Sequence, residues 1–224
     1  MAKRMKEALA LVEEAGERSA EEAIKAVKET SKVKFDASVE VHVNLAIDAG
    51  KSGQKVRTQT SLPAGTGKTL RVAAFVTPPR EKEAKAAGAD MVGGEELIKQ
   101  IKQTQKTDFD VAVAEPGIMK HLAQIAKILG QRKLMPSPKT GTVGEDVKKL
   151  IAEVKAGKID IKTDDGGNIH QIIGKVSFDE KKLLENYEQF IDAVRKAKPD
   201  GVKSDFIRNI YLSSSMGPSV RVKN

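Results

Sequence analysis

The sequence predicts two domains of different class. One is an α+β domain with a split sheet built from both chain ends, and the other is an α/β domain inserted between them. Three observations carry this reading. Between Val39 and Ile47 apolar and polar residues alternate, the pattern of a strand with one buried face. From Pro63 onward the pattern changes to repeated units of strand and helix, which argues for a parallel sheet covered by helices. From Gly157 the strand-rich style of the first segment returns.

The elements follow in order. Lys6 to Ala15 carries Ala8, Leu9, Leu11 and Val12 at helical spacing. Ser19-Ala-Glu-Glu22 is a capping box that opens a second helix through Ile24, Val27 and Lys28. Val39, Val41, Val43, Leu45 and Ile47 predict the first strand. Asp48 to Lys55, with Gly50 and Gly53, reads as a loop, and Val56 to Leu62 as a strand returning beside the first. Pro63-Ala-Gly65-Thr-Gly67 breaks the pattern.

Strands are then expected at Leu70 to Val76, Ala89 to Val92 and Asp110 to Ala114. Helices are expected at Pro79 to Ala87, Glu95 to Thr104 and Pro116 to Leu129, the last ending at Gly130. This middle segment reads as a Rossmann-like three-layer α/β domain. A Pro/Gly-rich connection and a helix from Glu145 to Ala156 complete it. Lys158 to Lys162 and Ile169 to Phe178 flank the turn-forming Asp164-Asp165-Gly166-Gly167-Asn168. A long helix follows from Asp179 to Ala197, with Leu183, Leu184, Tyr187, Phe190, Ile191 and Val194 on one face. Strands at Phe206 to Ser213 and Ser219 to Val222 end the order. The boundaries are 1–66 plus 158–224 for the α+β domain and 67–157 for the insertion. Two connections at one hinge would permit rigid-body motion between them.

Composition narrows the function classes. The 224 residues include no cysteine, which excludes disulfides, thiolate metal sites and cysteine nucleophiles and suits a reducing cytoplasm. No apolar run approaches the ~18–20 residues that span a bilayer, and no signal-type core is present, so a soluble intracellular protein with no membrane partner is expected. The net charge of +8 points to an anionic partner, usually nucleic acid. The excess is dispersed: 11 basic against 10 acidic side chains in residues 1–66, 16 against 11 in 67–157, and 12 against 10 in 158–224. Bulk charge therefore does not suffice, and placed contacts to a shaped RNA are needed.

Catalytic motifs are missing or incomplete. Gly65-Thr-Gly67-Lys68-Thr69 imitates the end of a phosphate-binding loop, but Leu62 stands where the first glycine belongs and a strand follows where a helix is needed. His42, His121 and His170 are expected far apart on different elements. No Gly-x-Ser-x-Gly elbow exists. The reading assigns no catalytic residue, metal or cofactor. Two alternatives stay open. A nucleotide hydrolase would bind ATP through Lys68, and a protein-interaction module would bind no specific RNA at moderate salt.

The run Phe206-Ile-Arg-Asn-Ile-Tyr-Leu-Ser-Ser-Ser-Met-Gly-Pro-Ser-Val-Arg221 closely resembles the end of the bacterial-type ribosomal protein L-one family, the protein of the mobile stalk. Lys34-Phe35-Asp36-Ala-Ser38-Val-Glu-Val resembles the family's entry to its first strand. Val56-Arg57, Ser61-Leu62-Pro63 and Gly67-Lys68 resemble its hinge. Ala87 to Glu96, Leu134-Met-Pro-Ser-Pro-Lys139-Thr-Gly-Thr-Val143, Lys155-Ala-Gly157 and Gly174-Lys175 continue the match. The chain departs at Gly130-Gln131-Arg132-Lys133, at Thr58, and at Ser215, which keeps a hydroxyl in place of the usual Thr.

The resemblance implies that the two-ended domain clamps 23S large-subunit ribosomal RNA and that the protein is a monomer when free. It further implies that the stalk assists release of deacylated tRNA from the exit site, and that the protein represses translation of its own operon mRNA. The implied RNA-binding residues are Lys34, Phe35, Ser38, Arg57, Lys175, Ser213, Ser215, Met216 and Gly217. Their chemistry suits the task. Ser213, Ser214 and Ser215 can address 2′-hydroxyls, Gly217 admits close backbone approach, Met216 and Phe35 offer apolar contact, and the cations meet phosphates. With eight aromatic residues in the chain, a row of base-stacking rings is not expected. Taken singly, Phe35 reads as a core residue and Ser213 to Pro218 as a strand end and turn.

Overall fold

The structure is a computed structural model that describes residues 3–13, 16–48, 54–132, 134–199, 202 and 205–223. The expected Asp48–Lys55 loop and Lys133 fall largely or wholly outside the described residues. In chain order the elements are α1 (Lys3–Glu13), α2 (Ala20–Thr30), β1 (Ser38–Leu45), β2 (Arg57–Ser61), β3 (Val72–Phe75), α3 (Glu81–Ala86), β4 (Met91–Gly93), α4 (Glu95–Thr104) and β5 (Val111–Ala114). Then come α5 (Met119–Leu122), α6 (Ala126–Gln131), α7 (Val147–Lys155), β6 (Lys158–Lys162), β7 (Asn168–Lys175), α8 (Glu180–Lys196), β8 (Ile207–Ser214) and β9 (Ser219–Val222). The chain divides into two compact units, residues 1–67 with 159–224 and residues 68–158. The mixed α+β and α/β class read from the sequence is the one observed.

In the first unit β7, β1, β8 and β9 form an antiparallel sheet in that order. Strand β1 buries Val39, Val41, Val43 and Leu45, while Ser38, Glu40, His42 and Asn44 lie on the opposite, more open face. The buried face packs with Ile24 and Val27 of α2 and with Leu183, Phe190 and Val194 of α8. Helix α2 begins as its sequence dictates: the Ser19 hydroxyl accepts from the Glu22 amide, and the Glu22 carboxylate accepts from the Ser19 amide at 3.1 Å.

Two pairings differ from expectation. Strand β2 pairs with β6 in a separate two-stranded sheet and not with β1. The reason is that β7 and β8 already occupy both edges of β1. Likewise β6 and β7 are joined only by the single bridge Thr163 to Ile169, because β6 turns away to β2 and buries Ile159 and Ile161. The tight turn between them is present: one Asp164 carboxylate oxygen accepts from the amides of Gly166 (2.9 Å) and Asn168 (2.7 Å), and Gly167 takes φ +78°.

The second unit is a parallel sheet ordered β4, β3, β5. All four residues of β3 are buried, because a central parallel strand is covered on both faces. Ala73 and Phe75 pack with Leu97, Ile101, Leu122 and Leu129, while Val72 and Ala74 pack with Ala84, Val147, Ile151 and Val154. This makes three layers. Carboxylates pin β3 at its ends: Asp110 accepts from the Arg71 amide (3.1 Å), Asp90 from the Val72 amide (2.9 Å) and Glu115 from the Thr77 amide (3.1 Å). The expected helix over Pro116 to Leu129 is instead broken into short α and 3-10 pieces, and α6 runs to Gln131, past Gly130. Ile118, Leu122, Ile125 and Leu129 remain buried, since spacings of three and four serve both helix types. After Gly67 and Lys68 the chain enters a strand, β3, and Lys68 pairs with Asp110 at 3.4 Å. Among the described residues, no helix is long and apolar enough to cross a membrane.

Candidate functional site

The antiparallel register brings distant parts of the chain to one corner of the first unit's sheet. Ser38 at the start of β1 lies opposite Lys175 at the end of β7. Val39 lies opposite Ser214 at the end of β8. Beyond β8, the Ser215 amide donates to the Ser38 carbonyl at 2.9 Å, and the Ser38 amide donates to the Ser215 hydroxyl oxygen at 3.2 Å. The Lys175 amine donates to the Ser38 hydroxyl oxygen at 2.9 Å. Lys175, Ser38 and Ser215 thus form a polar row across three chain segments.

Two loops flank this row. The loop before β1 is tied down by Asp36, whose carboxylate accepts from the Ser177 amide (3.1 Å) and hydroxyl (2.9 Å), and by the Ala37 carbonyl, which accepts from the Val176 amide (2.9 Å). Lys34 and Phe35 remain on its outside, with Phe35 at 55% exposure. The second loop is the tight turn from Ser214 to Gly217, closed by the Gly217 amide donating to the Ser214 carbonyl at 2.8 Å. It holds Met216 at φ +66° and 69% exposure. A methionine in the left-handed region costs on the order of 1 kcal/mol, and such strain concentrates at functional sites. From α1, the Arg4 guanidinium donates to the Met216 carbonyl at 3.1 Å.

Gly217 is explained by its neighbour. A Cβ there would collide with the Ser214 hydroxyl oxygen and stand 3.2 Å from the Ser214 carbonyl oxygen, so any larger residue forces the Ser214 side chain to shift. Ser214 itself is buried at 3% exposure. The expectation that it faces RNA is corrected: strand alternation sends Ser213 to the open face and Ser214 inward.

The structure brings together Lys34, Phe35, Ser38, Lys175, Ser213, Ser215, Met216 and Gly217. It does not bring Arg57 to them. Arg57 lies on β2, where it pairs with Asp160 at 3.3 Å. Its neighbour Val56 bonds Thr163, which bridges to Ile169 at the start of β7. Lys175 is at the other end of that strand, roughly 20 Å away at ~3.3 Å per residue.

Residues that the sequence reading passed over also line this face. Ile172, 40% exposed, lies opposite Glu40, and Glu40 lies opposite Ser213. The histidine expectation is corrected as well. His42 and His170 are direct cross-strand partners, with their Nδ1 atoms 2.8 Å apart. His42 Nε2 stands 3.0 Å from the Ser213 hydroxyl oxygen. Burial, then His170, pushes the His42 imidazole below its ordinary value, and Glu40 opposes them. The period-two pattern signals that Glu40 and His42 share the polar face of β1. The cross-strand register, and Arg4 more than two hundred positions from Met216, have no such signal. Among the described residues, no group of three or more His, Asp or Glu side chains is placed to hold a metal ion.

The model of the Ribosomal protein L1p/L10e family matches residues 27–218. The chain is 50% identical to the large ribosomal subunit protein uL1 of Mycoplasma capricolum over 223 residues, covering 100% of this chain and 98% of the relative. It is 48% identical over 223 residues to the uL1 of Mesoplasma florum, again covering 100% and 98%. To the uL1 of Thermobifida fusca it is 50% identical over 201 residues, covering 90% of this chain and 85% of the relative. The class is therefore a structural protein of the ribosome, and not an enzyme. The chain belongs to the Ribosomal protein L1p/L10e family.

Proposed function

We propose that this chain, a constituent of the large subunit of the cytoplasmic ribosome, binds 23S ribosomal RNA at the mobile stalk through the corner built on Ser38, Lys175 and Ser215. Lys34, Phe35, Ser213, Met216 and Gly217 complete the surface. Hydroxyls address 2′-hydroxyl groups, Lys34 and Lys175 meet phosphates, and the two exposed apolar side chains cover a ribose or a base face. The observation that carries the reading is Met216: an apolar side chain held out at 69% exposure by a left-handed backbone, on a turn that hydrogen bonds fasten from both sides. A turn built for stability alone would place glycine or asparagine there. Arg57, paired with Asp160, is outside this surface.

From membership of the family we extend the reading to two further roles. The stalk protein assists release of deacylated tRNA from the exit site, and the free monomer represses translation of its own operon mRNA. The same corner accepts a similarly folded segment of that message.

The test is a titration of a stalk ribosomal RNA transcript with the full chain and with Met216→Asp. The substitution weakens binding by about 1–3 kcal/mol, the scale of a central interface contact. Unchanged affinity in a folded variant removes Met216 from the interface. An own-leader mRNA that fails to compete with the ribosomal transcript removes the repressor role.

A further inference from the structure

Across the open face of the first unit's sheet runs a chain of polar groups that the proposed RNA contacts do not account for. It begins at Asp164 in the turn before β7, where Oδ2 stands 3.5 Å from His170 Nε2. It passes between the two rings at 2.8 Å, Nδ1 to Nδ1. It ends 3.0 Å from His42 Nε2 at the Ser213 hydroxyl, beside the corner described above. Other charged and titratable groups face it from each strand. Glu40 on β1 is 3.9 Å from His42 Nε2. Tyr211 on β8 lies opposite His42, and Arg221 on β9 lies opposite Tyr211, with Arg221 engaged by Glu17 and Asn209 at 2.9 Å each. Asp165, next to Asp164, is paired with Lys55 at 3.0 Å.

Proton counting fixes the direction of each bond. Two nitrogens 2.8 Å apart must share one proton, since two protons collide and two lone pairs repel. In the neutral pair, each ring carries one proton. If His170 placed its proton at Nδ1, a bare Nε2 lone pair would face the Asp164 carboxylate. Glu40 exerts the same pull on His42 Nε2 from 3.9 Å, but Asp164 is nearer at 3.5 Å and Ser213 already offers His42 Nε2 a hydroxyl proton, so the proton settles at His170 Nε2 and His170 Nδ1 is the acceptor. His42 must then donate from Nδ1, so its Nε2 is a lone pair that accepts the Ser213 hydroxyl proton. In this state Ser213 is turned inward. When the pair takes up one more proton, the vacant position is His42 Nε2. That N–H now donates to the Ser213 oxygen, and the hydroxyl proton is released to point outward.

We infer that His42 and His170 are positioning residues that set the direction of the Ser213 hydroxyl, so that proton uptake by the pair presents Ser213 to RNA as a donor and tightens binding. The inference rests on the RNA reading of the corner. The partner chemistry is an acceptor oxygen, either phosphate or 2′-oxygen, and the added positive charge favours the phosphate. Burial and the neighbouring ring keep His42 neutral at ordinary pH in the free protein, so the outward state is recruited by acid or by bound anion. The sign follows: a complex that holds a proton more firmly than the free protein binds better as pH falls.

The experiment is a titration of a stalk ribosomal RNA transcript with the full chain at pH 7.5, 6.5 and 5.5 and constant salt. Affinity rises about three- to tenfold toward pH 5.5, within the limit set by linkage to one proton. His42→Gln and Ser213→Ala each flatten that profile to within about twofold, and Asp164→Asn, which removes the tautomer lock, weakens the slope. A flat wild-type profile, or a slope that survives both His42→Gln and Ser213→Ala, overturns the inference while the RNA reading stands. No binding at any pH, in a protein folded by circular dichroism, overturns both. Nitrogen-15 correlation spectra of the unmutated chain add a check free of folding effects: at pH 7.5 they show His42 protonated at Nδ1 and His170 at Nε2. The reverse tautomers overturn the inference.

Discussion

Phe35 separates two readings that a sequence leaves side by side. As a single letter it belongs in a core, yet its neighbours Asp36 and Ala37 are fastened to Ser177 and Val176, and the ring is left 55% exposed. Phe35→Ala should therefore leave stability within about 0.5 kcal/mol of the parent, against the roughly 3–5 kcal/mol of a core phenylalanine. The same change should weaken binding of a stalk RNA transcript by about 1 kcal/mol or more. A large drop in the urea midpoint would return Phe35 to the core and end its role in recognition. At this scale the hydroxyls, the glycine and the methionine of the last turn were legible as chemistry. Ser214 was misjudged because residues 213 to 215 look alike, and only the alternation of β8 sends one of the three inward. The histidine pair was illegible because its two rings come from strands more than a hundred positions apart.

Strand β1 and helix α8 illustrate what periodicity reveals. Alternation marked the buried face of β1, and the helical spacing of Leu183, Tyr187, Phe190 and Val194 marked that of α8. Partners were not marked: β2 was expected beside β1, where β7 and β8 already sit. Asn186 is a sharper case. It falls on the apolar face of α8, fully buried, where the pattern alone treats a polar residue as an error. Its amide accepts from the Ala64 amide N–H at 3.0 Å and donates to the carbonyls of Gly65 (2.9 Å) and Ile173 (2.7 Å). One side chain thus fastens the loop after β2 and strand β7 to the helix. Replacing it with alanine orphans three backbone groups and should cost about 2–4 kcal/mol. Urea denaturation with an unchanged slope checks this. A loss under about 0.5 kcal/mol would mean that water replaces all three bonds.

Over the whole molecule, each unit has its own core, and the two hold their carboxylates differently. In the second unit Asp90, Asp110 and Glu115 all grip the ends of β3. Asp90 and Asp110 are held below their ordinary values, first by the Val72 and Arg71 amides respectively. Glu115 is pushed up by burial, but the Thr77 amide and hydroxyl and Arg80 carry it below its ordinary value. A depressed carboxylate adds stability above its unfolded value and loses it as pH falls through the folded one. The first unit holds two such carboxylates, Asp164 by the Asn168 amide and Glu22 by the Ser19 amide, but they fasten a turn and a helix start and not a central strand, so the second unit should come apart first on acidification, below about pH 4. Both tyrosines, Tyr187 and Tyr211, lie in the first unit, and the chain has no tryptophan. Far-ultraviolet dichroism should accordingly fall at a higher pH than tyrosine fluorescence changes. Coincident transitions would refute the ordering. The class of each unit was legible because strand–helix alternation and strand-rich ends have different periods. The carboxylate grips were not, because they depend on which strands become neighbours.

The central place of β1 has a consequence for how the polypeptide is made. Its first hydrogen-bonded neighbour begins at Asn168 and its second at Ile207, so a growing chain carries β1 unpaired while everything between is synthesised. The parallel sheet, drawn from Val72 to Ala114, has all its strands long before that point. The corner carrying Met216 comes into being only once β8 and the turn after it have been translated. A product that stops before Ser213 therefore owns a finished inserted unit but no finished corner.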